Sequence, residues 1–262
     1  MFLTSFLFWT VFAGQNAAGQ ALASPPAQLL AWQAAAQAER VECEFTRYVY
    51  DHSFSTTKIG TGRIIVDRKL GTRFELKPSS RIPSRLRKDI SGVDYKVVPE
   101  TASIWVVTDE WVLDCQPEDK TAWRMSRSPR KINDSDGLRR VAQFVVDWFQ
   151  FGRRAVAALR GGVLADDELI SIFSNATGSQ VTAKDNLTII STNATGHRAE
   201  HYSRVRVAFI KGNDFPDSIA FTAPSQKSET VYVFRNIQTG PSNSELNPAE
   251  IDLSDYEVRE VN

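Results

Sequence analysis

Along most of the chain, apolar and polar residues alternate with the period of two that a half-buried β-strand requires. Between Val41 and Val49, the set Val41, Cys43, Phe45 and Val49 alternates with Glu42, Glu44, Thr46 and Tyr48, while Arg47 interrupts the apolar side. Ile64, Val66 and Arg68 share one side of 62–68, and Phe74 and Leu76 alternate with Arg73, Glu75 and Lys77 in 72–77. Further strands are predicted at 93–98, 103–107, 111–115 and 121–125. Pro117-Glu118-Asp119-Lys120 makes the turn between the last two. Strands return at 180–184, 187–192, 202–210, 217–222 and 229–237. In the last of these, four consecutive apolar residues, Val231 to Phe234, call for cover on both faces.

The period changes to helical in three places. Ser24-Pro25-Pro26 reads as a helix start, with Leu29, Trp32 and Ala36 on one face of a helix running to about Arg40. Leu138, Val141, Phe144, Val145, Trp148 and Phe151 recur at helical spacing after Asp134-Ser135-Asp136-Gly137, and a second central helix is expected over 166–174. Strands, then helices, then strands, without βαβ alternation, predict an α+β fold. Its core is a curved antiparallel sheet with helices covering the concave face, polar outside and apolar within.

Before Ser24 the chain is of another kind. Phe2 to Ala13 is almost wholly apolar, too short to span a bilayer, and Ala21-Leu22-Ala23 supplies a small-residue cleavage site. Residues 1–23 therefore read as a signal peptide, 24–239 as the folded domain and 240–262 as an acidic, mobile tail with a short strand near 256–260. The expected protein is periplasmic or secreted, and soluble after cleavage. Its formal net charge of zero argues against nucleic-acid binding. Local basic clusters remain, one formed by Arg81, Arg85, Arg87 and Lys88, another by Arg124, Arg127, Arg130 and Lys131.

Candidate chemistry is sparse. No nucleophile elbow, P-loop, zincin or dinucleotide-binding motif occurs, so the chain reads as a non-enzyme without cofactor or metal. His197 and His201 stand four apart, but Thr195-Gly196 and a following strand argue against the helix that would pair them on a metal. Cys43 and Cys115 both alternate with apolar neighbours. They read as inward-facing, either as buried thiols or, in an exported chain, as a pair.

Several segments carry a family resemblance: Cys43-Glu44-Phe45-Thr46-Arg47, the run Gly60 to Arg68, Arg73-Phe74-Glu75-Leu76, and Asp109 to Pro117. Together they resemble the LolA-like family of outer-membrane lipoprotein carriers, especially its secreted planctomycete-type relatives. The resemblance implies an unclosed β-barrel holding an apolar cavity under a helical lid. It implies an acyl chain or lipoprotein as ligand, a delivery partner such as an envelope membrane protein, and a monomer. Arg68 matches the family's lid-holding Arg, followed here by Lys69 where the family has Pro; Asp109-Glu110 stands for its Asp-Gly turn. The expected cavity is lined by Phe45, Ile64, Val66, Phe74, Leu76 and Trp111, with Phe144 and Trp148 on the lid and Arg68 at the mouth. The alternative on the same fold is a non-catalytic module that binds an envelope protein or polymer.

Overall fold

The structure is a computed structural model. It describes residues 20–21, 27–35, 38–83, 86–89, 91–108, 110–126, 179–194, 199, 202–242 and 247–261. The expected helices over 138–151 and 166–174, with Phe144 and Trp148, lie outside the described residues, as do Asp109, His197 and His201.

The described elements are, in chain order, β1 (Gln20–Ala21), α1 (Ala27–Ala35), β2 (Arg40–Asp51), β3 (Thr56–Asp67), β4 (Gly71–Pro78), β5 (Lys96–Val98), β6 (Ser103–Val107), β7 (Trp111–Gln116) and β8 (Thr121–Ser126). After the undescribed stretch come β9 (Gln180–Lys184), β10 (Leu187–Asn193), β11 (Arg204–Ile210), β12 (Ser218–Thr222), β13 (Ser228–Gly240) and β14 (Glu257–Val261). Most strands fall within a few residues of their predicted positions, because clean alternation over a half-buried surface leaves little choice of phase; β3 begins at Thr56, six residues before the expected 62–68. The first helix is shorter than its sequence suggests. Arg40, expected to end it, instead opens β2.

All described strands form one sheet, ordered β1-β9-β10-β11-β12-β13-β2-β3-β4-β6-β7-β8-β14, with β5 beside β3. Neighbours are antiparallel except for β3 with β5 and β8 with β14. The two ends of the order do not pair among the described strands, so the sheet is unclosed. The right-handed twist between neighbours accumulates, and an open sheet of this breadth must curl.

Both faces carry apolar cover, but not everywhere. We call inner the face on which α1 lies. There Leu29 and Trp32 join a cluster that includes Cys43, Phe45, Ile64, Val66, Phe74, Trp105, Val207, Phe209, Tyr232 and Phe234. On the outer face two smaller clusters form. In one, Leu86, Tyr95 and Val97 cover Tyr48, Tyr50, Ile59 and Val231. In the other, Ala249, Ile251, Leu253 and Tyr256 cover Val106, Leu113 and Cys115. This double cover explains the unbroken apolar run at 231–234: Tyr232 and Phe234 face inward, Val231 and Val233 outward.

The acidic C-terminal stretch thus adds a packed segment and a strand. Its parallel pairing sets Glu257 opposite Thr121 and Val261 opposite Met125.

Candidate functional site

The inner face is assembled by register. Cys43, Ile64, Phe74, Trp105, Asp114, Trp123 and Arg259 are successive cross-strand partners, running from β2 out to β14. One row over, Phe234, Phe45, Gly62 and Leu76 are partners. Side chains in such rows are close enough to touch.

Here they build an aromatic chain. Phe234 lies parallel to Tyr232 with ring centroids 6.4 Å apart, and Tyr232 meets Phe45 at 5.7 Å. Phe45 stacks on Phe74 at 4.9 Å, and Phe74 on Trp105 at 5.0 Å. From the other wall, Trp32 of α1 meets Phe209 edge-on at 6.1 Å. Offset and edge-on pairs of this kind are the arrangements the ring quadrupoles favour.

Few polar groups enter this face: the Trp32 indole N–H and the Thr72 hydroxyl are buried without a hydrogen-bond partner among the described residues, and the others are paired. The Trp105 indole Nε1–H donates to Asp114 Oδ1 at 2.8 Å, and Gln116 Nε2 donates to the same oxygen at 2.9 Å. Burial pushes the Asp114 carboxyl up to about 6, against the lowering effect of those two bonds. Arg47, the residue that interrupted the apolar alternation, donates to Glu100 Oε2 through Nη2 at 2.7 Å and Nε at 3.2 Å. It also bonds the Tyr232 hydroxyl. The sequence cost at Arg47 is thus met by a buried carboxylate on the 99–102 connection.

Of the residues expected to line a cavity, Phe45, Ile64, Val66, Phe74 and Leu76 do share one buried cluster. Trp111 does not. It lies on the outer face, packed against the cluster of Leu113 and Cys115, with the Arg124 guanidinium 5.0 Å over its ring. The reason is physical. In β7 the more apolar set, Trp111, Leu113 and Cys115, is the one the C-terminal segment covers, while Val112 and Asp114 face inward. Alternation fixes which residues share a face, but not which face is inside. Cys115 is likewise outward and Cys43 inward; both are free and buried.

Arg68 is exposed in the turn after β3. Asp67 holds that turn by accepting from the backbone N–H of Lys69 and Leu70, while the Arg68 N–H donates to the Glu39 carbonyl at 2.9 Å. This puts Arg68 beside the connection from α1 into β2. Trp105, Tyr232, Phe234 and Asp114 were not among the expected site residues; the strand at 103–107 and the apolar run at 231–234 marked the first three as strand residues but not as inward-facing.

On the outer face, between the two covered patches, lies an open groove of about 650 Å³ lined in part by Glu44, Arg63, Glu75, Lys77 and Arg235. Its lining is mixed, since Ala102, Ile104 and Pro117 also border it.

No protein-family model and no curated protein matches the chain in sequence. Solved structures do align with it. An uncharacterised conserved protein from Thermus thermophilus matches 89% of this chain and 98% of its own, at 8% identity and a TM-score of 0.45. LprF from Mycobacterium bovis matches 87% and 100%, at 13% identity and 0.39. A LolA superfamily protein from Nitrosomonas europaea matches 84% and 95%, at 7% identity and 0.33.

Proposed function

We propose that the protein is a non-catalytic lipid- or lipoprotein-binding carrier, exported by residues 1–23 and working in the periplasm or outside the cell. The observation that carries this reading is the continuous aromatic chain from Phe234 to Trp105 on the inner face of an unclosed sheet. These rings are buried, so an acyl chain reaches them only by displacing what covers them; once there it gains about 0.8 kcal/mol per buried methylene, without specific polar chemistry. In this reading the 138–174 stretch forms the lid, with Phe144 and Trp148 against the acyl chain, and Arg68 at the rim meets lid carbonyls or an anionic headgroup.

The test is native mass spectrometry of protein purified from its own envelope, with uptake of a fluorescent fatty acid by delipidated protein. Copurifying lipid and saturable uptake are expected. A protein that carries no lipid and takes up no apolar probe sinks the carrier reading. The outer groove favours a second reading, a module that binds an envelope polymer or protein segment. That reading gains if polar envelope fragments bind and lipids do not.

A further inference from the structure

At one end of the sheet, apolar side chains stand in water. Phe54, in the turn joining β2 to β3, is 78% exposed, and Val93, in the connection leading to β5, is 58% exposed. Among the described residues Phe54 is the most exposed aromatic ring, ahead of Trp123 at 38%.

The two turns are built as one unit. Asp51 Oδ1 accepts from the backbone N–H of Ser53 and Phe54, fixing the first turn. Asp89 Oδ1 accepts from the N–H of Ser91 and Val93, fixing the second. Ser55 ties them together: its hydroxyl donates to Asp89 Oδ2 at 2.7 Å, and its carbonyl accepts from Lys96 N–H at 2.8 Å. Ser55 takes a left-handed φ of 47° to do so. Two carboxylates are thereby spent on presenting two apolar side chains.

Around them, among the described residues, lysines outnumber carboxylates by one. Lys58, Lys88, Lys96 and Lys227 are all exposed. Lys227 belongs to the same end of the sheet, since its carbonyl accepts from His52 N–H at 2.8 Å. Three carboxylates stand against them in the two turns, the exposed Asp94 and the turn-forming Asp51 and Asp89. An apolar tip with lysines at the same end of the sheet is an arrangement that can insert shallowly into a bilayer interface while its cations meet anionic headgroups.

We propose that this tip docks on the surface of an anionic lipid bilayer, with Phe54 and Val93 entering the acyl boundary and the four lysines meeting the headgroups. The docking is independent of whether the inner face holds a ligand, so the two readings fail separately.

The experiment is flotation of the full chain with vesicles of phosphatidylcholine alone or mixed with phosphatidylglycerol, at low and high salt. Wild-type protein is expected to float with the mixed vesicles at low salt, and high salt should release it. Phe54→Ser/Val93→Ser is expected to bind at least about tenfold more weakly. Lys88→Glu/Lys96→Glu should lose the preference for phosphatidylglycerol. Both pairs change exposed residues, and thermal melts matching wild type confirm the fold. Wild-type protein that stays out of mixed vesicles, binds both vesicle types alike, or binds no better than the Ser variant overturns the proposal.

Discussion

Phe45 stacks on Phe74 although a whole strand lies between them. Their rings are 4.9 Å apart and tilted by only 24°, and the intervening strand, β3, presents Gly62 opposite Phe45. A Cβ at Gly62 would overlap the Phe45 ring and the Glu75 carbonyl oxygen. The absent side chain is what lets aromatic residues of β2 and β4 meet. Gly62→Ala should therefore destabilise the protein by about 1–3 kcal/mol, as overpacking does, because the Glu75 carbonyl is backbone and cannot rotate away. Urea denaturation checks this; unchanged stability would count against the stack as described.

Asp114 makes a pH prediction. Its carboxyl is pushed up to about 6 by burial, against about 3.9 in an unfolded chain. Between about pH 4 and pH 6 the native state holds a proton that the unfolded state has released, so stability falls as pH rises through that window. Asp114→Asn keeps an acceptor for the Trp105 indole and never ionises. The variant should gain about 2–3 kcal/mol over wild type above pH 6, with the difference vanishing below pH 4. Thermal melts of both proteins across pH 4–8 measure it.

Glu229 is buried and accepts from both Arg87 and Arg206. Burial, then the neighbouring Arg87 and Arg204, holds the Arg206 guanidinium down to about 9. Neutralising the single carboxylate between two part-buried guanidinium groups leaves them facing each other. Glu229→Gln should cost about 3–5 kcal/mol, read as a lowered denaturation midpoint. Arg87→Met in the same background should recover part of the loss.

The cysteines should stay unpaired. Cys43 and Cys115 face opposite sides of the sheet, four strand spacings or about 19 Å apart, beyond the about 7 Å a disulfide spans. Burial pushes their thiols up to about 12 and about 11. Alkylation should fail on native protein and label both thiols once the chain is unfolded, without reductant. Labelling that requires reductant would refute this.

Arg68→Leu tests the rim. The side chain is exposed, so stability should change by under about 0.5 kcal/mol. Retention of a fluorescent fatty acid should weaken measurably, which separates a ligand role from a structural one.

The strand positions were legible in the sequence because period-two alternation survives wherever one face is buried. Phe45, Ile64, Val66, Phe74 and Leu76 could be grouped correctly for that reason. Trp111 could not be assigned, because what makes its side of β7 outer is the cover supplied by Ala249 to Tyr256, more than 130 positions away. The partner of Arg47 was hidden for the same reason: Glu100 stands 53 residues on, in a connection with no periodicity to mark it. What the sequence conceals is long-range cover, not local phase.

The place of β2 in the sheet bears on how the chain reaches its native state. One edge of β2 pairs with β3, its immediate successor, and the other with β13, whose residues lie almost 200 positions later. A chain delivered N-terminus first, from a ribosome or through a translocation pore, must hold that second edge open until residues 228–240 have emerged. Folding cannot proceed strand by strand behind the exit, and such long-range closure is slow. For that interval the Val41–Phe45 edge is a template for pairing with other chains. Yield should therefore depend on a holding chaperone more than on the stability of the finished sheet.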